Sequence, residues 1–302
     1  MRLRVRVPAT TANLGSGFDC VGLAVDWYDE LTLEVGEPAG LGIHVTGEGA
    51  HQVPRDESHL VIAALLHTLR EWGVAAPEGM KLTAQNTIPH SRGLGSSAAA
   101  IAAGCAFAHG IAFPGRELDR VEITRIASLL EGHPDNAGAA VWGGAILAWL
   151  EDHRVELVRL QLTPGLRCLA YVPDLEVRTS GARAVLPQVV PRSDAVSQAI
   201  RAAALPIALE QRPELLLAAT ADRIHQFYRA ELMPSSWQLM ESLRAQGVAA
   251  TISGAGPTVF AVGTTEQLAA ANAVTHEGFR CCDLGIGEGT TLCRLPDGRT
   301  GA

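Results

Sequence analysis

The sequence predicts an α+β protein built as two domains. Three observations carry this. The chain has 302 residues, which suits two modest domains or one large one with ample core. Strand-like alternation and helix-like runs mix without the regular βαβ order of a doubly wound parallel sheet. No long linker, internal repeat or low-complexity tract interrupts them, and the charged turn near Glu151–Arg154 is the one candidate boundary. The domains are therefore expected at 1–152 and 153–302.

The elements follow in order. "RLRVRVP" sets Leu3, Val5 and Val7 on one face and Arg2, Arg4 and Arg6 on the other, a half-buried strand. "ELTLEV" (30–35) and "GIHVTG" (42–47) alternate likewise. Ser58 is placed to cap a helix running through Trp72, with Gly73 as its stop. "KLTAQNTIP" (81–89) reads as a strand ended by Pro89. A glycine loop and an alanine-rich helix come next. A second helix, 117–131, ends at "EGHPDN". Strands are expected at 141–150, 154–162 and 167–173, and helices dominate from Thr179 to Ala245. The tail reads strand, strand, helix, strand, strand ("VAATISG", "TVFAVG", "TEQLAAANAVTHEG", "FRCCDLG", "TTLCRL").

Composition narrows the function. Hydrophobic residues make up 47% and charged residues 19%, so the chain is globular and not disordered. The formal net charge of −8 repels nucleic acid and anionic membrane, so neither is an expected partner. An anionic small substrate remains open, because local arginines can reverse the field in one cleft. Lys81 is the only lysine, so 23 of the 24 basic residues are arginine, and any carboxylate clamp is a planar, bidentate one. The cysteines Cys20, Cys105, Cys168, Cys281, Cys282 and Cys293 form no C-x-x-C pair and no zinc spacing, which points to a reducing cytoplasm. The N-terminus lacks the apolar core of a signal peptide. Leu94–Phe113 is apolar but mostly Ala and Gly, and reads as a buried helix.

The stretch "IPHSRGLGSSAAA" (88–100) concentrates the chemistry. A Walker A loop is excluded, because no lysine follows its glycines. "GLGSSA" fits a dinucleotide fingerprint, with Glu117 and Asp119 about twenty residues on. Yet the polar "PHSR" separates it from the preceding strand, and those acids open a helix. The third reading uses a helix N-terminus directly. Gly93 and Gly95 turn backbone N–H groups inward, the helix dipole adds positive potential, and Ser96 and Ser97 offer hydroxyls. A serine-capped helix after a glycine turn, with no ligand, is the bland alternative.

"PHSRGLGSSAA" resembles the ATP-binding motif of the GHMP kinases. "VPATTANLGSGFD" (7–19) resembles the first motif of that family, and "ISGAGPTVFA" (252–261) resembles its third. Order and distances match across essentially the whole chain. The resemblance implies a ribosomal-protein-S5-like N-terminal domain, a ferredoxin-like C-terminal domain and an active site between them. The first motif and "EGHPDN" are most similar to those of the homoserine kinases. That implies ATP and Mg²⁺ as cofactors, and L-homoserine as substrate, converted to O-phospho-L-homoserine on the route to threonine. The chain departs at Ser16, where the family usually carries proline. Another small alcohol, of shikimate or mevalonate type, and a catalytically dead nucleotide-binding paralogue stand as alternatives. A homodimer is the candidate assembly.

By resemblance the ATP loop comprises Pro89, His90, Ser91, Arg92, Gly93, Leu94, Gly95, Ser96, Ser97, Ala98 and Ala99. Arg92 either touches phosphate or sits in solvent. Glu131 and Ser97 are the candidate Mg²⁺ ligands, with Glu122 as the alternative carboxylate. An amino-acid alcohol carries an ammonium, a carboxylate and a hydroxyl. Asp19 suits the ammonium, and Asn13 suits the hydroxyl or carboxylate; each also reads as a plain turn residue. Thr179 and Arg183 share one helix face. Asp222, His225 and Arg229 share another, and Arg229 matches the second substrate arginine the resemblance implies. His133 and Asn136 contact substrate or brace the site, and Asp135 reads as structural. Gly254 and Gly256 let backbone approach phosphate or substrate, and Ser253 or Thr258 can add a hydroxyl. The resemblance implies no dedicated base. The catalytic set is then Glu131, Ser97, Asn13 and His133.

Overall fold

The computed structural model describes residues 1–36, 38–177 and 179–296. Two sheets organise them. β1 (Arg2–Asn13) runs antiparallel to β2 (Gly17–Val35). Leu3, Val5 and Val7 are buried while Arg4 and Arg6 face solvent, as the alternation predicts. β1 continues past the alternating part and delivers the first glycine motif to its end. β2 absorbs "ELTLEV" into a 19-residue strand. β3 (Gly40–Gly47) pairs parallel with β4 (Gly79–Asn86), which pairs antiparallel with β2.

α1 (Leu60–Glu71) connects β3 to β4. Ser58 does not cap it: its N–H and hydroxyl both donate to Asp56 Oδ1, and the helix starts after His59. α2 (Ser96–Ala112) is the alanine-rich helix, buried from Ala98 to Gly110 apart from Ala100. Its small residues have a packing reason. A Cβ on Gly104 would lie 2.3 Å from the Val61 carbonyl of α1, so the two backbones approach too closely for a side chain. Among the described residues no helix is long and apolar enough to cross a membrane.

α3 (Arg120–Glu131) starts later than residue 117, because Asp119 caps it by accepting from the Glu122 N–H. The "EGHPDN" turn then opens into α4 (Pro134–Trp142), with proline at the first helical position. Residues 141–142, expected in a strand, therefore close this helix. β5 (Ala145–Glu151) and β6 (Arg154–Leu160) form a hairpin, and β5 also pairs with β2. The charged turn expected as a domain boundary thus lies inside the first sheet. The chain passes to the second sheet only between Leu160 and β7 (Arg167–Pro173).

The second sheet has the order β10-β7-β9-β8, from β8 (Ala250–Ile252), β9 (Val259–Gly263) and β10 (Phe279–Leu284). Its helices are α5 (Thr179–Ala184), α6 (Arg192–Glu210), α7 (Leu216–Ala219), α8 (Gln226–Arg229), α9 (Pro234–Ala245) and α10 (Thr265–Ala269). α8 is only one turn. Asp222, expected on the same helix face as Arg229, instead sits ahead of it and accepts from the N–H groups of Ile224, His225 and Gln226. β11 (Thr291–Leu295) leaves this half and pairs with β1, so the first sheet draws strands from both ends of the chain.

Candidate active site

The three glycine motifs meet. Thr10 N–H donates to the Leu94 carbonyl, and Asn13 Nδ2 donates to the Gly254 carbonyl at 2.9 Å. The Ser253 hydroxyl reaches both the Gly93 carbonyl and Thr11 Oγ1. Residues more than two hundred positions apart are thereby held as one rim. They enclose a cavity of about 150 Å³, room for on the order of ten water molecules.

One wall is built for an anion. Gly95 is the N-cap of α2 in the left-handed region (φ 68°), with no capping side chain on the helix. A Cβ there would lie 1.9 Å from Thr10 Oγ1, so glycine is required on two counts. The first-turn N–H groups are left for a ligand. Ser91, Gly93, Leu94, Gly95, Ser96 and Ser97 all line the cavity. The Ser97 hydroxyl donates to Glu131 Oε1 at 2.5 Å. Glu131, the last residue of α3, lines the same wall. Glu122 is engaged elsewhere, by Arg125 and the Trp72 indole.

Another part of the cavity lining carries charge. Asp19 and Arg183 form a bidentate pair, at 3.1 Å and 2.7 Å, across 164 residues of sequence. Thr179, Arg183 and Arg229 line this side with Gly254 and Ala255. Arg178, which opens the stretch containing Thr179, lies outside the described residues. Arg229 is not a solvated surface arginine. It is 2% exposed, and burial, helped by the nearby Arg183 charge, lowers its pKa to about 10. Phe18 stacks on His225 and lies near both arginines, with guanidinium carbons 5.6 Å and 6.0 Å from its ring centre. The sequence reading did not single out Phe18; the signal was an aromatic residue directly before Asp19 in a glycine-flanked loop.

His133, Asp135 and Asn136 close the floor. His133 Nδ1 lies 2.7 Å from Asp135 Oδ1, which also accepts from the Asn136 N–H. Burial pulls the His133 pKa down, but the hydrogen bond and charge of Asp135, with Glu131, outweigh it and leave the pKa raised. Asn136 Oδ1 accepts from the Thr10 hydroxyl. Asn13 adopts φ 74°, and both its polar atoms are engaged: Oδ1 accepts from the Asp19 N–H. It is the turn residue of the bland reading, and it holds Asp19 in place.

Several expected residues do not reach the cavity. Ala98 and Ala99 are fully buried in the core, and Pro89 is buried as well. His90 packs against Gly49, since a Cβ there would lie 2.3 Å from its ring. Arg92 does not line the cavity, and its side chain is partly exposed to solvent. It is clasped by Glu176 and by the carbonyls of His90, Pro173 and Asp174. Gly256 forms the tight turn back to Ser253, against Met233. The Ser253 hydroxyl is spent on the rim, and Thr258 Oγ1 is buried without a partner among the described residues.

An uncapped helix N-terminus and an acid–arginine pair line one cavity, which suits an enzyme that brings a phosphate group to a small polar molecule. Comparisons with known proteins agree. The pattern described as GHMP kinases N terminal domain matches residues 59–144, and GHMP kinases C terminal matches residues 193–279. The homoserine kinase of Cutibacterium acnes is 53% identical over 288 residues, covering 95% of this chain and 97% of that one. That of Streptomyces coelicolor is 43% identical over 295 residues, covering 97% and 95%. The crystal structure of homoserine kinase from Cytophaga hutchinsonii matches with a TM-score of 0.84 at 26% identity, covering 97% of each chain. The chain belongs to the GHMP kinase family and has its two-domain fold. Within the family its similarity runs to the homoserine kinases.

Proposed function

We propose that the chain transfers the γ-phosphoryl group of ATP to the hydroxyl of L-homoserine, giving O-phospho-L-homoserine for threonine synthesis. The observation that carries this is the Asp19–Arg183 pair in the cavity that the helix N-terminus also lines. An amino acid brings an ammonium for Asp19 and a carboxylate for Arg183. Each new contact replaces half of the existing pair, so little charge is left uncompensated on binding. Mevalonate and shikimate have no ammonium, and would leave Asp19 unpaired.

The donor set at the anion wall fits Mg²⁺: a hydroxyl and a carboxylate oxygen in contact, both hard oxygen ligands, beside a helix N-terminus. Ser97 and Glu131 would hold the ion. When bound, it neutralises phosphate charge and orients the leaving group.

In the transfer, the homoserine hydroxyl oxygen attacks the γ-phosphorus as the bond to the β,γ-bridging oxygen breaks. The hydroxyl proton passes to the phosphoryl oxygens. The loose transition state asks for alignment and charge stabilisation more than for a base. The α2 N-terminus and its flanking backbone hold the phosphates. Arg183, Thr179 and Arg229 fix the amino-acid end. His133 holds its proton more tightly than an ordinary histidine, and Asp135 is occupied, so neither is set up as a base. Both brace the floor below the reacting atoms. We place the reaction in the cytoplasm, in keeping with six free thiols.

Measuring ADP release with L-homoserine, mevalonate and shikimate tests the assignment. A clear preference for a non-amino alcohol would overturn it. ATP binding without turnover of any of the three would support the inactive paralogue, which the intact Ser97–Glu131 contact disfavours.

A further inference from the structure

The buried side of Arg229 is more ordered than a carboxylate contact requires. A guanidinium has five N–H donors. Nε donates to the Ala182 carbonyl at 2.9 Å. Nη1 donates to the Gly254 carbonyl and to His225 Nδ1, each at 3.1 Å. These three use every donor that points inward. Among the described residues nothing accepts from Nη2, so two N–H groups remain, on a residue that lines the cavity.

His225 makes this possible only in one form. It is fully buried, and its Nε2 lies 2.7 Å from the Gly15 carbonyl. A carbonyl only accepts, so Nε2 carries the hydrogen. A guanidinium only donates, so Nδ1 must be the bare acceptor. The Asp222 carboxylate stands 3.5 Å from the ring, but its oxygens serve three backbone N–H groups. Phe18 stacks on the ring at 4.7 Å and 17°, packed against its face. Burial holds the ring neutral, which suits this role.

We propose that His225, as the neutral Nε2–H tautomer, is a positioning residue that aims Arg229 Nη2 at the substrate carboxylate. Through the same bonds it links the first motif (Gly15) to the third (Gly254) and to α5 (Ala182). The inference rests on the reading of Arg229 as a carboxylate contact.

Two substitutions split the ring's two functions. In His225→Asn the side-chain oxygen takes the place of Nδ1 and keeps an acceptor for Arg229. In His225→Gln the amide nitrogen takes the place of Nε2 and keeps only the bond to Gly15. Steady-state kinetics with both substrates should show the homoserine KM raised roughly tenfold or more in the Gln variant. Its kcat and ATP KM should stay near wild type, and the Asn variant should recover most of the loss. Equal homoserine KM values in the two variants, or parallel losses in every parameter, overturn the proposal. A separate measurement needs no variant to fold. Nitrogen NMR of the ¹⁵N-histidine-labelled wild-type protein should show His225 with Nε2 protonated and Nδ1 bare; the opposite tautomer, or an imidazolium, overturns it. Arg229→Ala separates the two readings. An unchanged homoserine KM there removes Arg229 from the substrate site, whereas a raised KM with equal Asn and Gln variants removes only the role of His225.

Discussion

On the proposed function, the two parts of the cavity wall would hold anions by different means. The phosphate wall would use backbone: an uncapped helix end, two glycines in left-handed geometry and serine hydroxyls, with no lysine or arginine lining it among the described residues. The amino-acid wall uses side-chain charge: Asp19, Arg183 and Arg229. Backbone dipoles hold any polyphosphate and are preformed, so they cost little to organise. Charged side chains read the sign and spacing of groups on a small molecule, so they discriminate. With these proposed sites, nucleotide affinity would depend on main-chain shape and acceptor selectivity on removable charges.

Substitutions should separate the walls accordingly. Gly95→Ala should be the most damaging, because its Cβ would meet Thr10 Oγ1 at 1.9 Å in a left-handed backbone. We expect loss of nucleotide binding by calorimetry and destabilisation of about 2 kcal/mol or more in urea melts. Near-normal ATP affinity would mean the loop is softer than its geometry implies. Glu131→Gln comes next, with kcat falling roughly a hundredfold or more and homoserine KM little changed. An unaltered kcat would transfer the metal role to another carboxylate. Arg183→Ala should raise the homoserine KM roughly ten- to hundredfold and spare the ATP KM. If both KM values rise together, the walls are not independent.

Ser16→Ala removes a hydroxyl that donates to the Ala219 carbonyl at 2.6 Å. It should cost about 1 kcal/mol of stability, read as a lowered Tm, with kinetics nearly unchanged. That bond anchors the turn where the family usually has proline. His133 supplies the smallest effect and a sign. Its folded pKa is raised, so its contribution to stability is complete below the unfolded value and is lost as pH rises through the folded one. The Tm gap between wild type and His133→Gln should shrink on going from mildly acidic to alkaline buffer.

Local chemistry was legible in the sequence, and distance was not. The strand pattern of residues 2–7, the helix beginning at Ser96 and the glycine turn before it all follow from neighbours in the chain. α4 was missed because "HPDN" carries turn residues, and only the missing N–H requirement at the first helical position turns that proline into a start signal. The hairpin at Glu151–Arg154 looked like a boundary because nothing local says that β5 also pairs with β2. The resemblance singled out Arg229, but nothing local showed that it is buried. Its burial depends on Ala182, His225 and Gly254, which only the fold brings to it. The clasp on Arg92 is likewise set by Glu176, 84 residues away.

The return of β11 to β1 has a consequence for biosynthesis. During translation, β1 and β2 emerge early and can pair at once. The other flank of β1 then carries open hydrogen-bonding groups until residues 291–295 have left the ribosome. Until then, the strand that delivers the first motif is a bare sheet edge, exposed to a neighbouring nascent chain. The arginines at positions 2, 4 and 6 lie along that edge. Arg2 and Arg6 pair with Glu34 and Glu30 of β2, so the face beside that edge is charged and hydrated, which disfavours the edge-to-edge pairing that would otherwise compete with the arrival of β11.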